Sequence, residues 1–344
     1  MDTSAPYAQL LERGETLVLS DRDVARLLSP AACIEQQAVA FREFSAGRAP
    51  IAPRVRLGVT AGAAGSFMPG WAPGVDGFGC KVLTRYLGNR ERGLPTVLAT
   101  MILLDPATGF PVACLSATYL TNARTAAAAA LGVRVLRRAD AVTVGVYGSG
   151  AVARLCVEAL AHVMLISTVT IYSPSPSHRE TAALELTEQL GRPVTAVSSA
   201  DGPAVADVVI AATTSSRPVL DAAWLRRGST VVSVASRPDV VELPVEALAA
   251  NTLVVDSREA ALGEAGELLA GLAAGAFGPD VIRAELGDIL LGRAAGRTSD
   301  DEICLFKSNG LAVQDLVTAR AVVEAALRED AGVRISLQNG RTTC

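Results

Sequence analysis

The sequence contains very little histidine and no paired cysteines. Its 344 residues include two histidines, His162 and His178, so a histidine-rich zinc site or a Ser-His-Asp triad is hard to assemble. The six cysteines are scattered singly, mostly within apolar runs, and no two have Cys-x-x-Cys spacing. We therefore expect buried thiols rather than a disulfide framework, and no metal site.

The sequence also lacks the features of membrane and nucleic-acid-binding proteins. Half of its residues are hydrophobic, yet no stretch offers the roughly 18 uninterrupted apolar residues that a membrane span needs. The first residues lack the basic-then-apolar order of a signal peptide, which favours a cytoplasmic protein. The net charge of −4 and the absence of a basic cluster indicate that no nucleic acid is bound. The length suits about two domains.

The most informative stretch is a glycine turn between a β-branched strand and an apolar helix. Residues 148–153 give the pattern Gly-x-Gly-x-x-Ala. In dinucleotide-binding folds the first glycine makes a tight turn, the second lets backbone approach a pyrophosphate, and the small third residue lets helix pack on strand. A structural turn is the alternative. The predicted cofactor-binding residues here are Gly148, Ser149, Gly150, Ala151 and Val152.

Strands and helices alternate after this turn, which predicts an α/β fold with a doubly wound parallel sheet. The expected elements are strands at 168–172, 208–212, 230–234 and 252–256 and a helix at 177–190. Before the turn, expected strands at 16–19, 51–57, 78–86, 97–104 and 110–115 indicate a mixed or antiparallel sheet. A long amphipathic helix at 312–329 is expected to return to this first part.

Several basic residues lie within or beside apolar segments of the first part. Arg54 and Arg56 alternate with apolar residues and would share one face of a strand. Lys81, inside a mostly apolar strand, is either a device that solvates an edge strand or a buried cation that awaits an anion. Arg124 is expected in the first turn of a helix, where a cation opposes the helix dipole, so it is either a surface residue or part of a carboxylate clamp.

These motifs, taken in order, resemble those of the ornithine cyclodeaminase and mu-crystallin family over nearly the whole chain. The matching segments are 79–81, 93–96, 120–127, 148–150, 285–288 and 306–312. The resemblance implies a Rossmann-type doubly wound parallel sheet at 125–311. It implies that this domain is inserted in a second α+β domain, 1–124 plus 312–344, which binds substrate and forms a homodimer through its sheet.

The resemblance also implies a site for a small-molecule carboxylate. The substrate carboxylate would be held by Arg54, Lys81 and Arg124, with Arg56 as the alternative to Arg54. Three cations facing one cleft need an anion, and arginine suits a carboxylate bidentately. Without that anion the cations repel one another, so removing one is expected to cost little stability. Met68 is a further predicted substrate contact, and the further predicted cofactor contacts are Thr125, Thr213, Thr214 and Ser308.

Two positions depart from the cyclodeaminase pattern. A glutamate two residues before Met-Pro is replaced by Ser66, and a catalytic aspartate before Pro-x-x-x-Glu-Leu is replaced by Ser236. The mu-crystallin branch, for which the resemblance implies ketimine reduction, shares the Ser-Arg-Pro-Asp pattern of 236–239. A diamine-specific site is therefore expected to be lost. The candidate catalytic residues are Lys81, Ser236 and Asp239, although Asp239 is equally explained as a loop cap.

Three functions remain open. The favoured one is an NAD(P)H-dependent reductase or dehydrogenase that converts a ketimine, a cyclic imine or a keto acid plus amine to an L-amino acid, possibly N-substituted. The others are a cyclodeaminase with tightly bound NAD and a non-catalytic, crystallin-like nucleotide-binding protein. No acidic residue directly follows the strand that ends at Tyr172 to bind a ribose hydroxyl. Ser173, Ser175, His178 and Arg179 would suit a 2′-phosphate, which favours NADP(H) over NAD(H).

Overall fold

A computed structural model describes residues 7–337, which divide into two compact units. The first comprises the described parts of Met1–Arg124 and Leu311–Cys344, and the second is Thr125–Gly310. Within the described residues no helix is both long enough and apolar enough to span a membrane.

The helices are numbered in chain order. They are α1 Ala8–Arg13, α2 Asp21–Leu27, α3 Pro30–Ser45, α4 Thr118–Leu136, α5 Ala151–Leu160, α6 Pro176–Leu190, α7 Val245–Ala250, α8 Arg258–Glu264, α9 Gly266–Ala273, α10 Leu286–Leu290 and α11 Ala312–Arg328. Short 3-10 helices occur at Pro73–Val75, Leu87–Arg92, Gly202–Val205, Ala222–Trp224 and Pro279–Val281.

The strands form one sheet in each unit. They are β1 Thr16–Leu19, β2 Val55–Thr60, β3 Ala63–Ala72, β4 Gly77–Tyr86, β5 Val97–Leu104, β6 Pro111–Ser116, β7 Thr143–Tyr147, β8 Thr168–Tyr172, β9 Val194–Ala196, β10 Val208–Ala211, β11 Thr230–Ser233, β12 Thr252–Val255, β13 Ile282–Glu285, β14 Cys304–Lys307 and β15 Val333–Ile335.

The first unit is built on a mixed sheet in the order β15-β1-β6-β5-β4-β3-β2. Strands β2 to β6 are antiparallel to their neighbours, whereas β1 runs parallel to β6. Helix α11 packs on α3 and on β3 and β4, so the C-terminal helix does return to this part of the chain. The register places Met68, Lys81 and Met101 side by side on neighbouring strands, and all three are buried. Lys81 is therefore a cation in the middle of an apolar sheet face.

The second unit contains a parallel sheet in the order β13-β12-β14-β11-β10-β7-β8-β9. Its strands are short and rich in valine and isoleucine, as expected for a sheet that is covered on both faces. The chain starts at β7, continues outward through β8 and β9, and then crosses to β10 on the other side of β7. Ligands of such sheets bind beyond the carboxyl ends of the strands at this reversal. The predicted fold class is confirmed.

Candidate active site

Three charged side chains form a buried ion cluster in the first unit. Lys81 on β4 and Arg124 on α4 both contact Asp315, which lies in the first turn of α11. The Lys81 Nζ is 2.6 Å from Asp315 Oδ2, and the Arg124 Nε is 2.9 Å from Asp315 Oδ1. All three residues are buried. We call Lys81, Arg124 and Asp315 the basic cluster, because two cations share one carboxylate.

Burial dominates the protonation of Lys81. Loss of hydration lowers the pKa of Lys81 to about 7, against the opposing attraction of Asp315, and the charges of Arg124 and Arg54 lower it further. Burial also raises the pKa of Asp315, but Arg124 and Lys81 outweigh it, so that pKa lies below its ordinary value. A buried amine that titrates near neutrality is suited to exchange a proton with a bound substrate.

The other predicted substrate-binding residues differ in their position relative to the basic cluster. Arg54 is half-buried just before β2, and its charge acts on Lys81. Met68 lies opposite Lys81 on β3 and is buried. Arg56 is exposed on β2 and lies opposite Ser66, two residues along β3 from Met68. The structure therefore groups Arg54 and Met68 with Lys81 and Arg124.

The structure changes two expectations about the cations. Helix α4 begins at Thr118, six residues before Arg124, so the placement of Arg124 in the first turn is wrong. The expectation that the cations repel one another in the empty site took no internal anion into account, and Asp315 supplies one. Sequence reasoning missed Asp315, although an acidic residue between the apolar Val313 and Leu316 was a usable signal.

The glycine turn of the second unit has an open side at Gly150. Gly148 has a φ of 110°, and a Cβ there would fall 2.3 Å from the carbonyl oxygen of Ala212. A Cβ at Gly150, the residue before α5, would meet no atom within 4 Å. Ala153 is fully buried beneath the turn. The N–H groups at the start of α5, those of Ala151 and Val152 included, have no partner within the helix and lie beside this open space at Gly150.

The loop after β8 contains the residues predicted to read the ribose. Ser149 Oγ donates to Ser173 Oγ at 3.1 Å, which links this loop to the glycine turn. Ser175 caps α6 by accepting the His178 N–H, and the Arg179 guanidinium donates to the Ser173 carbonyl at 3.0 Å. His178 is exposed and Arg179 is half-buried. Serine hydroxyls and two basic side chains thus lie together beyond the end of β8.

The loops after β10 and β11 contain the remaining candidates. Thr213 and Thr214 follow β10, and Ser236 and Asp239 lie in the loop that follows β11. Asp239 forms an ion pair with Arg237, with Nε 2.8 Å from Oδ1, and its side chain is 67% exposed. The charge of Asp239 is therefore already paired at the surface, which agrees with a structural role in the loop.

Three further observations concern predicted contacts and metals. Ser308 is buried and its hydroxyl donates to Asp256 at 3.2 Å, so this hydroxyl has a protein partner. Thr125 follows Arg124 on α4 and is half-buried. Among residues 7–337, no group of three or more His, Cys, Asp or Glu side chains is arranged to hold a metal ion.

Comparison with known proteins identifies the family. Residues 14–330 match the family model described as ornithine cyclodeaminase/mu-crystallin family. The chain belongs to this family. Alanine dehydrogenase of Archaeoglobus fulgidus is 36% identical over 324 residues, which cover 93% of this chain and 98% of that protein. The resemblance inferred from the motifs is confirmed.

Solved structures of family members match over almost the same extent. One is the Δ1-pyrroline-2-carboxylate reductase of Thermococcus litoralis in complex with NADH and L-proline, which is 34% identical. Its TM-score is 0.90, and the match covers 93% of this chain and 100% of that one. An archaeal alanine dehydrogenase dimer with bound NAD is 34% identical and has a TM-score of 0.88, with coverage of 94% and 100%.

Proposed function

We infer that the protein reduces an imine that carries a carboxylate to an L-amino acid, or catalyses the reverse oxidation, with a nicotinamide coenzyme. It is an oxidoreductase of the imine reductase and amino-acid dehydrogenase branch of its family. The observation that carries the proposal is the basic cluster, because two buried cations on one carboxylate leave a positive charge that an anionic substrate would neutralise.

The proposed roles follow from charge and protonation. Arg54 and Arg124 hold the substrate carboxylate, and Asp315 fixes the orientation of Arg124 and Lys81. Lys81, with its pKa near 7, holds the proton that the imine nitrogen takes up on reduction. When bound, the coenzyme supplies the hydride for the imine carbon. Burial of the cluster excludes water, which strengthens each of these interactions.

The substrate class follows from the two serines and from the relatives. Ser66 and Ser236 replace carboxylates that serve a diamine in the cyclodeaminases, so we propose a substrate without a side-chain amine. Alanine dehydrogenase and Δ1-pyrroline-2-carboxylate reductase are named for a small amino acid and a cyclic imine. We therefore propose a small aliphatic keto acid with an amine, or a cyclic imine carboxylate.

For the coenzyme, we propose a preference for NADP(H) over NAD(H). The support is the absence of an acid directly after β8 and the presence of Ser173, Ser175, His178 and Arg179 at that position. The related structures contain NADH or NAD, so NAD(H) is the competing choice.

We also propose a homodimer formed through the first unit's sheet. Large apolar side chains on the face opposite Lys81 are each at least 36% exposed; they include Val55, Leu57, Phe67, Leu98 and Ile102. A contiguous exposed apolar face of this kind marks a protein interface. The related alanine dehydrogenase is a dimer. Light scattering after size exclusion should give a molar mass twice that of one chain. In Phe67→Glu it should give the mass of a single chain.

The test of function follows the absorbance of the reduced coenzyme with a substrate panel. We expect oxidation of NADPH or NADH with Δ1-pyrroline-2-carboxylate or with pyruvate and ammonia, and no turnover with L-ornithine. Ammonia release from ornithine without net coenzyme consumption would instead identify a cyclodeaminase. Coenzyme binding without any turnover would favour the crystallin-like alternative.

A further inference from the structure

A second buried ion cluster lies at the carboxyl ends of the central strands of the parallel sheet. It consists of Ser233, Glu242, Glu267 and Lys307, all buried, and we call it the acidic cluster. Lys307 Nζ is 2.9 Å from Glu267 Oε1 and donates to Ser233 Oγ at 2.8 Å. Ser233 Oγ in turn is 2.7 Å from Glu242 Oε2. The cluster therefore connects β14 and α9 to Glu242 through the last residue of β11.

The Glu242 carboxylate also accepts hydrogen bonds from backbone N–H groups. Its Oε1 accepts the Thr213 N–H at 2.5 Å, and its Oε2 accepts the N–H groups of Val234 and Ala235, each at 3.1 Å. Thr213 is in the loop after β10, and Val234 and Ala235 are in the loop after β11. One carboxylate thus ties together two adjacent loops at the edge where coenzymes of such sheets bind.

The composition of the cluster is costly for a purely structural part of the core. Two carboxylates are buried with a single lysine, and apolar side chains of similar volume usually give equal or greater stability. The Glu242 carboxylate is hydrogen-bonded through both of its oxygens, and such bonds fix atomic positions more narrowly than apolar packing does. The backbone held here carries Thr213 and Thr214 on one side and leads to Ser236 on the other.

We propose that Glu242 is a positioning residue, which fixes the loops after β10 and β11 and thereby the nicotinamide end of the bound coenzyme. This inference rests on the proposed function. Glu242 touches no reacting atom and acts through the backbone of Thr213, Val234 and Ala235. Ser233 accepts a hydrogen bond from Lys307 and donates one to Glu242, which helps to hold the Glu242 carboxylate in place.

The test uses Glu242→Gln, which exchanges one carboxylate oxygen for an amide nitrogen that cannot accept an N–H. One of the two loops then loses its anchor, and we expect faster hydrogen exchange at the amides of 213, 234 and 235. Since small misplacements of reacting groups cost up to about 100-fold in rate, kcat should fall roughly 10- to 100-fold. The deuterium isotope effect with 4-deuterated coenzyme should rise, while the KM of the imine changes little.

Asp207→Asn is the matched control. Asp207 is also a buried carboxylate that accepts two backbone N–H groups, from Val142 and Thr143, but it lies at the amino ends of the strands. We expect a lower Tm for this variant with unchanged kcat and isotope effect per folded molecule. If it loses kcat as Glu242→Gln does, or if Glu242→Gln keeps the wild-type kcat and isotope effect, the positioning role is overturned.

Two additions keep the result decisive. If Glu242→Gln does not fold, Glu242→Asp replaces it, since the shorter carboxylate cannot reach both loops and the same changes are expected. If the wild-type protein reduces no imine, the proposed function fails, but the loops are still tested by exchange with and without NADPH. Protection of 213, 234 and 235 by NADPH should be lost in the variant, and equal protection in both proteins would refute the inference.

Discussion

The two buried ion clusters, one in each unit, carry opposite imbalances of charge. In the basic cluster Lys81 and Arg124 share the single carboxylate of Asp315, and the charge of Arg54 acts on the same lysine. In the acidic cluster the single ammonium of Lys307 faces the carboxylates of Glu242 and Glu267. Both lie among buried side chains, so each imbalance needs partners of another kind.

The partners differ in a way that separates binding from positioning. Burial raises the pKa of Glu242, and three backbone N–H groups and a serine hydroxyl oppose this by stabilising its carboxylate. The basic cluster has one internal anion for its cations, which suits a site completed by an anion from outside the protein. We therefore assign the substrate carboxylate to the first unit, and the coenzyme with its supporting network to the second.

The largest expected effect is on coenzyme binding and comes from a substitution at Gly150 in the second unit. Gly150→Asp should abolish NADPH binding, because a carboxylate would lie where a diphosphate approaches the start of α5. The fold should persist, since an added Cβ meets nothing within 4 Å. Fluorescence titration and circular dichroism measure the two properties. Gly148→Ala is the contrasting control and should destabilise the protein, because its Cβ would clash with the Ala212 carbonyl. Undiminished binding by Gly150→Asp would refute the assigned turn.

The next effect concerns the basic cluster and leaves the coenzyme bound. Lys81→Met should lower kcat/KM for the imine by roughly two to three orders of magnitude, because a buried charged partner of the substrate is lost. It should also lower the free energy of unfolding by about 1–3 kcal/mol, since Asp315 keeps only Arg124. This reverses the expectation drawn from the cations alone, in which removal of one costs little stability.

A double variant checks the role of Asp315. Lys81→Met combined with Asp315→Leu removes the ion pair of these two residues but leaves the buried Arg124 without its carboxylate partner, which is destabilising. We expect the double variant to be less stable than Lys81→Met, with no recovery of activity. If thermal melts show the double variant to be as stable as Lys81→Met, the pairing of Asp315 with Arg124 does not contribute to the stability of this region.

Local rules predicted the glycine turn and the alternation of strands and helices, because both depend on neighbouring residues. The left-handed Gly148 and the small Ala153 are required by the turn itself. Strand β3 was harder to predict from the sequence. Gly65, Pro69 and Gly70 interrupt its strand pattern, and the segment from 61 to 65 is typical of a turn. The strand forms because β4 pairs with it along its whole length.

The charge partners could not be predicted from local pattern, because they are distant in sequence. Asp315 is 191 residues from Arg124, and only the packing of α11 on the sheet places it near Lys81. The start of α4 was missed for a local reason. Thr118, Thr121 and Asn122 are weak helix formers, so the helix was expected to begin nearer its alanine run.

A smaller effect concerns pH. Since the pKa of Lys81 is about 7, kcat/KM for imine reduction should fall about tenfold per pH unit above that value. Arg124→Met should move this break upward, because the charge of Arg124 lowers the Lys81 pKa. The free energy of unfolding is also expected to depend on pH. Between about pH 7 and 10.5 the unfolded chain holds the proton and the folded chain does not, so the free energy of unfolding should rise with pH. A break that stays in place in Arg124→Met would exclude Lys81 as its source.

The smallest expected effect concerns the choice of coenzyme at the loop after β8. Arg179 is half-buried, so its ion pair with a 2′-phosphate would be partly screened and would contribute roughly 1 kcal/mol. Arg179→Ala should therefore lower the ratio of kcat/KM with NADPH to that with NADH by about fivefold, mainly through a higher KM for NADPH. Arg154→Ala is the matched control, because that arginine pairs with Glu185 on the outside of α5 and α6 and should leave the ratio unchanged. An unchanged ratio in Arg179→Ala would mean that this loop does not read the phosphate, and NAD(H) would then be the better choice.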